Sequence, residues 1–447
     1  MASSRNLKSA DLASRVSRNL KGILKRGERV LVGFSGGVDS IVLLDLLARM
    51  SKRAGWKLAA MHINHQLSPN AAQWAAFCRR VCRERGVPLH VVKVNVTRGN
   101  STEGAARAAR YAAFREASAD CIMLAHNQDD QCETLLLQLL RGAGVKGLAA
   151  MPVLRMDESS MRIARPLLDV PRSEIEAYAR KRKLQWIEDE SNADPYYLRN
   201  YLRREVFPLI AARVPAYRTT LTRAATHLGE AAGLLDDLAE IDSRAALADD
   251  ALDVSALRKL PDTRARNVLR YFLARRGAAM PDADKLAEAL RQALTAGDDA
   301  QMRIDLHAAE LRRFSGGLYV VRKSAPAVVN FQIAWRGERR LMLPQLGGTL
   351  EMATSRNSGI SLAQLRAAPV TIRARQGGER LQPDARRPRR TLKNLFQVLA
   401  IPPWRRERLP LLWCGGDLVW VPGLGVDCRY QARRGEAAIA PRWRAAE

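Results

Sequence analysis

Several things are scarce in this 447-residue chain, and each scarcity excludes something. No apolar run approaches the roughly 18 residues that span a bilayer, so no membrane partner is expected. The six cysteines (Cys78, Cys82, Cys121, Cys132, Cys414 and Cys428) include no C-x-x-C pair. A zinc site and a disulfide framework are therefore not expected, and a reducing cytoplasm fits. Acid is short relative to base: 46 Asp plus Glu stand against 73 Lys plus Arg, a net charge of +27 and a pI of about 10.6. That excess points to a polyanionic partner such as nucleic acid; the plainer alternative is a set of Arg-rich solvated faces. The first 28 residues are basic and serine-containing, as targeting segments are, but Leu12, Val16, Leu20 and Ile23 or Leu24 form an amphipathic stripe that reads as a structural helix.

Most informative is residues 29–51. A short apolar run, Arg29-Val-Leu-Val-Gly-Phe34, suits a strand buried on both faces. An apolar pattern at helical spacing, with Leu43, Leu44 and Leu47, follows the hexamer Ser35-Gly36-Gly37-Val38-Asp39-Ser40. Glycines let a backbone approach a ligand, and a helix beginning near Ser40 turns free N–H groups and the positive end of its dipole into the loop. This is an anion site, best suited to phosphate. The Lys and Ser or Thr of a Walker A loop are missing after Gly37. Asp39 places a carboxylate beside the phosphates instead, which makes sense with Mg²⁺ between them. A capped glycine turn is the alternative reading.

The hexamer resembles the PP-loop of the ATP pyrophosphatases. The resemblance implies ATP as the nucleotide, cut between its α and β phosphates, with AMP first transferred to a substrate oxygen. Residues 35–40 are then the nucleotide-binding loop.

Strand and helix patterns alternate over the first ~210 residues: apolar runs at 57–63, 89–94, 121–125 and 161–165, and helical patterns at 70–86, 102–119, 129–141 and 172–183. Such alternation predicts an α/β fold, a doubly wound parallel sheet with ligands beyond the carboxyl ends of its strands. Polar clusters follow those strands. After the second come His62, Asn64, His65 and Pro69, a pattern similar to the family's nucleotide-holding motif, with Gln66 and Ser68 where Gly and Arg are usual. Next, Asn100-Ser101-Thr102-Glu103 opens a helix on which Glu103, Arg107 and Arg110 share a face. That face is either a surface ion ladder or one that aims Arg110, with or without Arg107, at phosphate or substrate. After the fourth strand, His126-Asn127-Gln128-Asp129-Asp130-Gln131-Cys132-Glu133-Thr134 crowds acids into one helical turn. Acids suit a helix N-terminus, but Asp130 and Glu133 can also face the crevice together, to hold Mg²⁺ or receive a cationic substrate.

This last motif, continued through Arg141-Gly142-x-Gly144, resembles the tRNA(Ile)-lysidine synthetases. Asn127 and Gln128 depart from that family's usual His and Ala, and no role is assigned to them. The resemblance extends to Asp189, Ser191, Asn192, Arg199, Asn200 and Arg203, with Glu190 where proline is common, and to the far end of the chain. There, residues 371–413 hold eleven bases and three acids, with Phe396 and Trp404 interleaved. Arginine can neutralise phosphate and aromatic rings can stack on bases, though core packing is the favoured reading for both rings. Between these ends, residues 209–276 are rich in Ala, Leu, Arg and Asp and read as mostly helical, 282–294 reads as another helix, and 301–306 and 318–322 read as strands; from 230 to 253 eight acids stand against one base, Arg244.

The organisation expected is therefore a PP-loop domain over 1–210, a mostly helical substrate-binding domain over 211–325, and linker strands with a small α+β basic domain over 326–447. The resemblance implies ATP-dependent ligation of L-lysine to C2 of the wobble cytidine of a tRNA(Ile) with a CAU anticodon, through an adenylated cytidine, giving AMP and pyrophosphate. Codon reading then changes from AUG to AUA. The residues carried over are Asp39, Arg110, Asp130 and Glu133 for catalysis; Ser35, Gly36, Gly37, Val38, Asp39, Ser40, His62 and His126 for the nucleotide; Asp39 and Asp129 for Mg²⁺; and Arg199, Asn200, Arg203, Arg386, Arg387, Arg389, Arg390 and Lys393 for tRNA. Glu133 or Asp130 would seat the lysine. The glycine-rich stretch 142–152 is either a lid or a plain connection, and a homodimer is left open. A sulfur-inserting relative commonly carries C-x-x-C pairs, and a catalytically silent RNA binder would lose the loop acids; neither matches this chain. A glutamine-dependent synthetase would need an amidotransferase half, and none is evident.

Overall fold

The computed structural model describes residues 11–66, 68–95, 102–157, 161–188, 198–244, 246–248, 250–297, 302–323, 331–356 and 358–445. Asn100, Ser101, the Glu103 side chain and the 189–194 motif lie outside the described residues. Two compact units result, 1–238 and 239–447.

The first unit is built on a six-stranded sheet of β1 (Arg29–Gly33), β2 (Lys57–Asn64), β3 (Leu89–Lys93), β4 (Cys121–Met123), β5 (Leu154–Met156) and β6 (Arg162–Ala164), in the order β3-β2-β1-β4-β6-β5. All pairs are parallel except the edge pair β5 and β6. Alternation sends Val30 and Val32 to one face of β1 and Leu31 to the other, and all three are buried. On the first face pack α1 (Leu12–Leu20), α2 (Val38–Ala54), α3 (Ala71–Glu84) and, from further along, Ile175 and Ala179. On the second packs α4 (Thr102–Glu116), through Tyr111, Ala113 and Phe114. The sheet is thus doubly wound, as the alternating pattern predicts.

β1 neighbours β2 on one side and β4 on the other. The chain winds in opposite directions from this point, which opens a crevice beyond the strand ends. The turns after β1 and β4 meet there. After β4 come α5 (Gln128–Leu140) and a helical turn, α6 (Val145–Leu148), inside the glycine-rich stretch. Gln131 pins that stretch from both sides of its amide, its Nε2 donating to the Met151 carbonyl at 2.9 Å and its Oε1 accepting from the Met151 N–H at 3.0 Å. Then come α7 (Arg172–Lys181), α8 (Leu198–Tyr201), a wide π-helical turn (Leu202–Val206), α9 (Phe207–Arg213) and the 27-residue α10 (Tyr217–Ser243).

In the second unit, helices Val254–Arg258, Asp262–Arg275 and Ala283–Thr295 share a core with a five-stranded antiparallel sheet. The middle region thus joins the expected helices to a sheet, with strands Arg303–Asp305 and Gly317–Arg322 in the runs expected to be extended. Two further sheets, of five and four strands, enclose a core that includes Leu343, Leu350, Ile360, Ile372, Leu412 and Val419. Several acids of the 230–253 run are spent on ion pairs: Asp236 with Lys146, Asp242 with Arg264 and Asp250 with Arg405. Among the described residues, no helix is long and apolar enough to cross a membrane.

Candidate active site

The loop after β1 is shaped by its own hydroxyls. Ser40 Oγ accepts from the Gly36 N–H at 3.1 Å and donates to the Gly37 carbonyl at 2.9 Å, while Ser35 Oγ lies 3.1 Å from Ser40 Oγ. Gly36 has φ +91°, and a Cβ there would stand 2.6 Å from the Ile187 side chain. Only glycine meets both conditions. The Gly36 carbonyl also accepts the Ile187 N–H at 2.9 Å. No side chain caps α2 at Gly37. The first N–H groups of that helix have no intrahelical partner, so they and the dipole are directed at whatever anion enters the loop.

Asp39 stands in the first turn of α2. Its Oδ1 accepts from Asn127 Nδ2 at 2.9 Å, and its Oδ2 lies 3.9 Å from an Arg172 nitrogen. Burial raises the Asp39 carboxyl above its ordinary range, and the nearby Asp130 pushes the same way. Asn127 joins the two turns. Besides holding Asp39, it caps α5: its Oδ1 accepts the Asp130 N–H at 3.0 Å while Asp130 Oδ2 accepts the Asn127 N–H at 3.0 Å, a reciprocal capping box. The acid cluster is thereby locked to the phosphate loop.

Glu133, one turn further, is 1% exposed. Arg203 clamps it with two hydrogen bonds, at 2.7 and 3.0 Å, and reaches Asp130 at 3.3 Å; Arg199 Nε lies 3.4 Å from Glu133 Oε2. Burial nonetheless pushes the Glu133 carboxyl up, because desolvation outweighs what Arg203 returns. These placements differ from the expected ones. Arg199 and Arg203 face the acids rather than an open RNA surface, and Asn200 is buried. Asp129, expected at a metal, instead holds helices together: its Oδ2 accepts the Arg172 N–H at 2.9 Å and its Oδ1 accepts from Arg218 Nε at 2.6 Å.

The histidines also differ in place. His62 is buried beneath the loop, where its ring bonds the Phe34 carbonyl at 2.9 Å and lies 3.5 Å from Cys78 Sγ. There it supports the loop backbone. His126 is ringed by Arg107, Arg110, Arg165 and Arg199, and burial plus those charges push its imidazole down to about 3. It is neutral at pH 7. Arg110 sits with its guanidinium 6.0 Å from the Tyr111 ring, which Arg107 and Arg155 also face.

A bound Mg²⁺ fits Asp39 with Asp130. Both are carboxylates, Asp39 in the first turn of α2 and Asp130 in the first turn of α5, and Asn127 contacts each of them. Among the described residues no three His, Cys, Asp or Glu gather as a self-sufficient metal site. Mg²⁺ commonly takes one or two carboxylates and completes its shell from phosphates and water.

In the second unit, Arg386, Arg387, Arg390 and Lys393 are exposed, on and beside a short hairpin (Arg380–Leu381 with Arg390–Thr391). Arg389 is different: it donates to Asp427, which is fully buried, at 2.6 Å. Phe396 is core, and Trp404 packs edge-on against Phe314 and Tyr319. Neither ring is a free stacking platform.

Comparison with known proteins places this geometry. A PP-loop domain model matches residues 10–210, a TilS substrate binding domain model residues 252–319 and a TilS substrate C-terminal domain model residues 370–443. The chain is 45% identical over 448 aligned residues to the tRNA(Ile)-lysidine synthase of Nitrosomonas europaea, covering 99% of this chain and 98% of that one. The chain belongs to the tRNA(Ile)-lysidine synthase family. Members from an Azoarcus species and from Coxiella burnetii are 40% and 38% identical, over 93% and 90% of the chain and 91% and 90% of their own. The lysidine synthase family assignment agrees with the meeting of the glycine loop and the acid turn.

Arg172 and Arg218 are site residues that the sequence reading missed. Neither lies in a motif; each arrives on a later helix. Asn127 departs from the family pattern, yet Asn followed three residues later by an acid, just before an apolar run, is a recognisable helix-start pattern.

Proposed function

We propose that this chain is an ATP-dependent ligase that joins L-lysine to C2 of the wobble cytidine of a tRNA(Ile) with a CAU anticodon, through an adenylated cytidine, releasing AMP and pyrophosphate. The observation that carries the reading is the Asn127 bridge. It fixes Asp39, at the phosphate loop, beside Asp130 and Glu133, so that nucleotide and a cationic nucleophile are received in one crevice. The uncapped N-terminus of α2 would hold the pyrophosphate portion of ATP by its N–H groups. Asp39 and Asp130 would hold Mg²⁺, whose contribution is to offset phosphate charge as it grows.

Arg110 would contact the adenylate, with His126 beside it as an uncharged neighbour. Lysine's ε-amine must be deprotonated before it attacks C2. Glu133, its carboxyl raised by burial, would orient that amine and accept its proton, alone or with Asp130. Exposed Arg386, Arg387, Arg390 and Lys393 would hold tRNA phosphates, which position the substrate without reading its bases.

The test is an omission series. Full-length protein, ATP with Mg²⁺, labelled lysine and total tRNA are combined, then each is left out in turn. Label should enter RNA only in the complete mixture. Label absent from RNA in that mixture, or entering without ATP, overturns the reading.

A further inference from the structure

Within the second unit, a hairpin of the middle domain presents aromatic rings that the C-terminal domain covers. Strands Ala309–Phe314 and Gly317–Arg322 pair with Arg312 opposite Tyr319. Alternation sends Leu311, Leu318 and Val320 into the middle core and Arg312, Phe314 and Tyr319 to the opposite face. Trp404, on the helical turn Pro403–Arg406, stands edge-on to both rings, 6.0 Å from Phe314 and 5.4 Å from Tyr319. Arg312 lies over the Trp404 ring at 5.4 Å. Arg406 lies 5.8 Å from the Phe314 ring and 5.9 Å from the Phe396 ring, and Arg375 faces Phe396 at 5.7 Å. Cations and rings thus alternate in one ladder: Arg312, Trp404, Phe314, Arg406, Phe396, Arg375. Arg406 has no ion-pair partner among the described residues; its Nε donates to the Ile401 carbonyl at 2.6 Å, and its charge rests on ring faces. Arg405 pairs with Asp250 beside it.

We propose that Trp404 is a positioning residue for the RNA substrate: the ladder it joins is a rigid joint that fixes where the basic hairpin points from the middle domain, and Trp404 itself touches no RNA. The inference goes beyond the ligation reading and rests only on its tRNA-binding half. The far end of the ladder carries the argument. Phe396 is fully buried in the helix Leu392–Val398, which also bears Lys393 and follows directly on the hairpin strand Arg390–Thr391. Thr391 caps that helix, its hydroxyl accepting the Asn394 N–H at 3.4 Å. The exposed cations Arg386, Arg387, Arg390 and Lys393 are therefore rooted in the last rungs, while the first rungs belong to the middle sheet. A tRNA held by the hairpin must also present its target base elsewhere on the chain. Two contacts on a rigid frame act at a higher effective concentration than the same contacts on a loose one. Opening the joint should therefore weaken tRNA binding while the number of phosphates neutralised stays the same.

The test uses full-length protein and total tRNA, with filter binding over a range of salt and the ligation assay at saturating lysine. Trp404→Ala should weaken tRNA affinity and raise the KM for tRNA by about tenfold, leave the KM for ATP within about twofold, and keep the wild-type slope of log affinity against log salt. Trp404→Phe keeps a ring in the ladder and should stay within about threefold of wild type. Phe314→Ala opens the same joint from the other side. The double variant should be no worse than the worse single one, because one joint can be lost only once. Tyr319→Leu, a milder opening, should repeat the pattern at about threefold and serves if Trp404→Ala does not fold. The proposal is overturned if Trp404→Ala and Tyr319→Leu keep wild-type tRNA affinity, or if the Trp404→Ala and Phe314→Ala losses multiply, which would make each ring an independent RNA contact. A lowered salt slope in Trp404→Ala overturns it too, since phosphates would then have been lost. If wild type binds no tRNA, the proposal falls together with the ligation reading; wild-type binding with unaffected variants removes the joint alone.

Discussion

Removing Arg203 should be costly in a way that depends on pH. Glu133 is almost fully buried and takes two of its hydrogen bonds from this one guanidinium. Arg203→Ala leaves a carboxylate in a low-dielectric site with Arg199 as its remaining ion-pair partner among the described residues, at 3.4 Å. Breaking a buried pair on one side costs about 3–5 kcal/mol; because Arg199 remains and Arg203 is partly exposed, the lower figure, about 3 kcal/mol, is expected. The Glu133 carboxyl is already raised by burial and would rise further. A carboxyl with a raised folded pKa stabilises below its unfolded value and loses that contribution as pH rises through the folded one. The deficit of Arg203→Ala should therefore be full at neutral pH and shrink on acidification. Adding Glu133→Gln to Arg203→Met should recover much of the loss, because no uncompensated charge is then buried. Hydrogen exchange of α5 amides during urea titration, at pH 7 and pH 5, reads both effects. A deficit that does not change with pH, or single losses that simply add in the double variant, would refute the buried-charge argument.

Other outcomes are expected from the same geometry. Asp39→Asn should nearly abolish transfer of label from α-labelled ATP to tRNA while tRNA affinity stays close to wild type, measured by filter binding; full transfer removes Asp39 from any metal role. Gly36→Ala combines a positive φ with a Cβ 2.6 Å from Ile187, and should weaken ATP binding at least tenfold by calorimetry. His126, held down to about 3 against an ordinary 6.5, contributes stability that is present above about pH 6.5 and is lost as pH falls toward 3. Thermal melts of His126→Asn should therefore be less acid-sensitive than wild type in that window. Neutralising Arg386, Arg387 and Lys393 together should lower the slope of log affinity for tRNA against log salt by about 2–3, whereas Arg389→Ala should instead destabilise the second unit by about 2 kcal/mol, since it removes one charged donor from the buried Asp427, which keeps Arg429 at 3.1 Å; equal salt slopes in the two variants would contradict that division.

What could be read in advance follows what local pattern encodes. The strands and helices of the first unit announce themselves by apolar period, and the glycine loop and acid turn each carry their chemistry within ten residues. Their meeting follows from a strand-order rule, because β1 and β4 flank the switch point. Long-range pairing is another matter. Arg203 and Arg199 read as phosphate contacts because arginine after a polar turn commonly is, and only the fold turns them inward onto Glu133. Arg172 and Arg218 reach Asp129 from 43 and 89 residues away, beyond any periodicity. Likewise Arg389 sits in a run of similar arginines, and nothing local distinguishes it from its exposed neighbours; Asp427, 38 residues on, does.

The wide turn at Leu202–Val206 ties two jobs to one register. Upstream, Arg199 is aimed at Glu133; downstream, Phe207 lies against Tyr217. Each residue of an α-helix advances the chain by about 100° around its axis. A single deletion inside the turn would swing one partner away whenever the other kept its place. Arg203 and the buried Leu202 aside, this stretch of backbone therefore tolerates substitution far better than any change in its length, and the acids and the Phe207 ring are phased by counting residues.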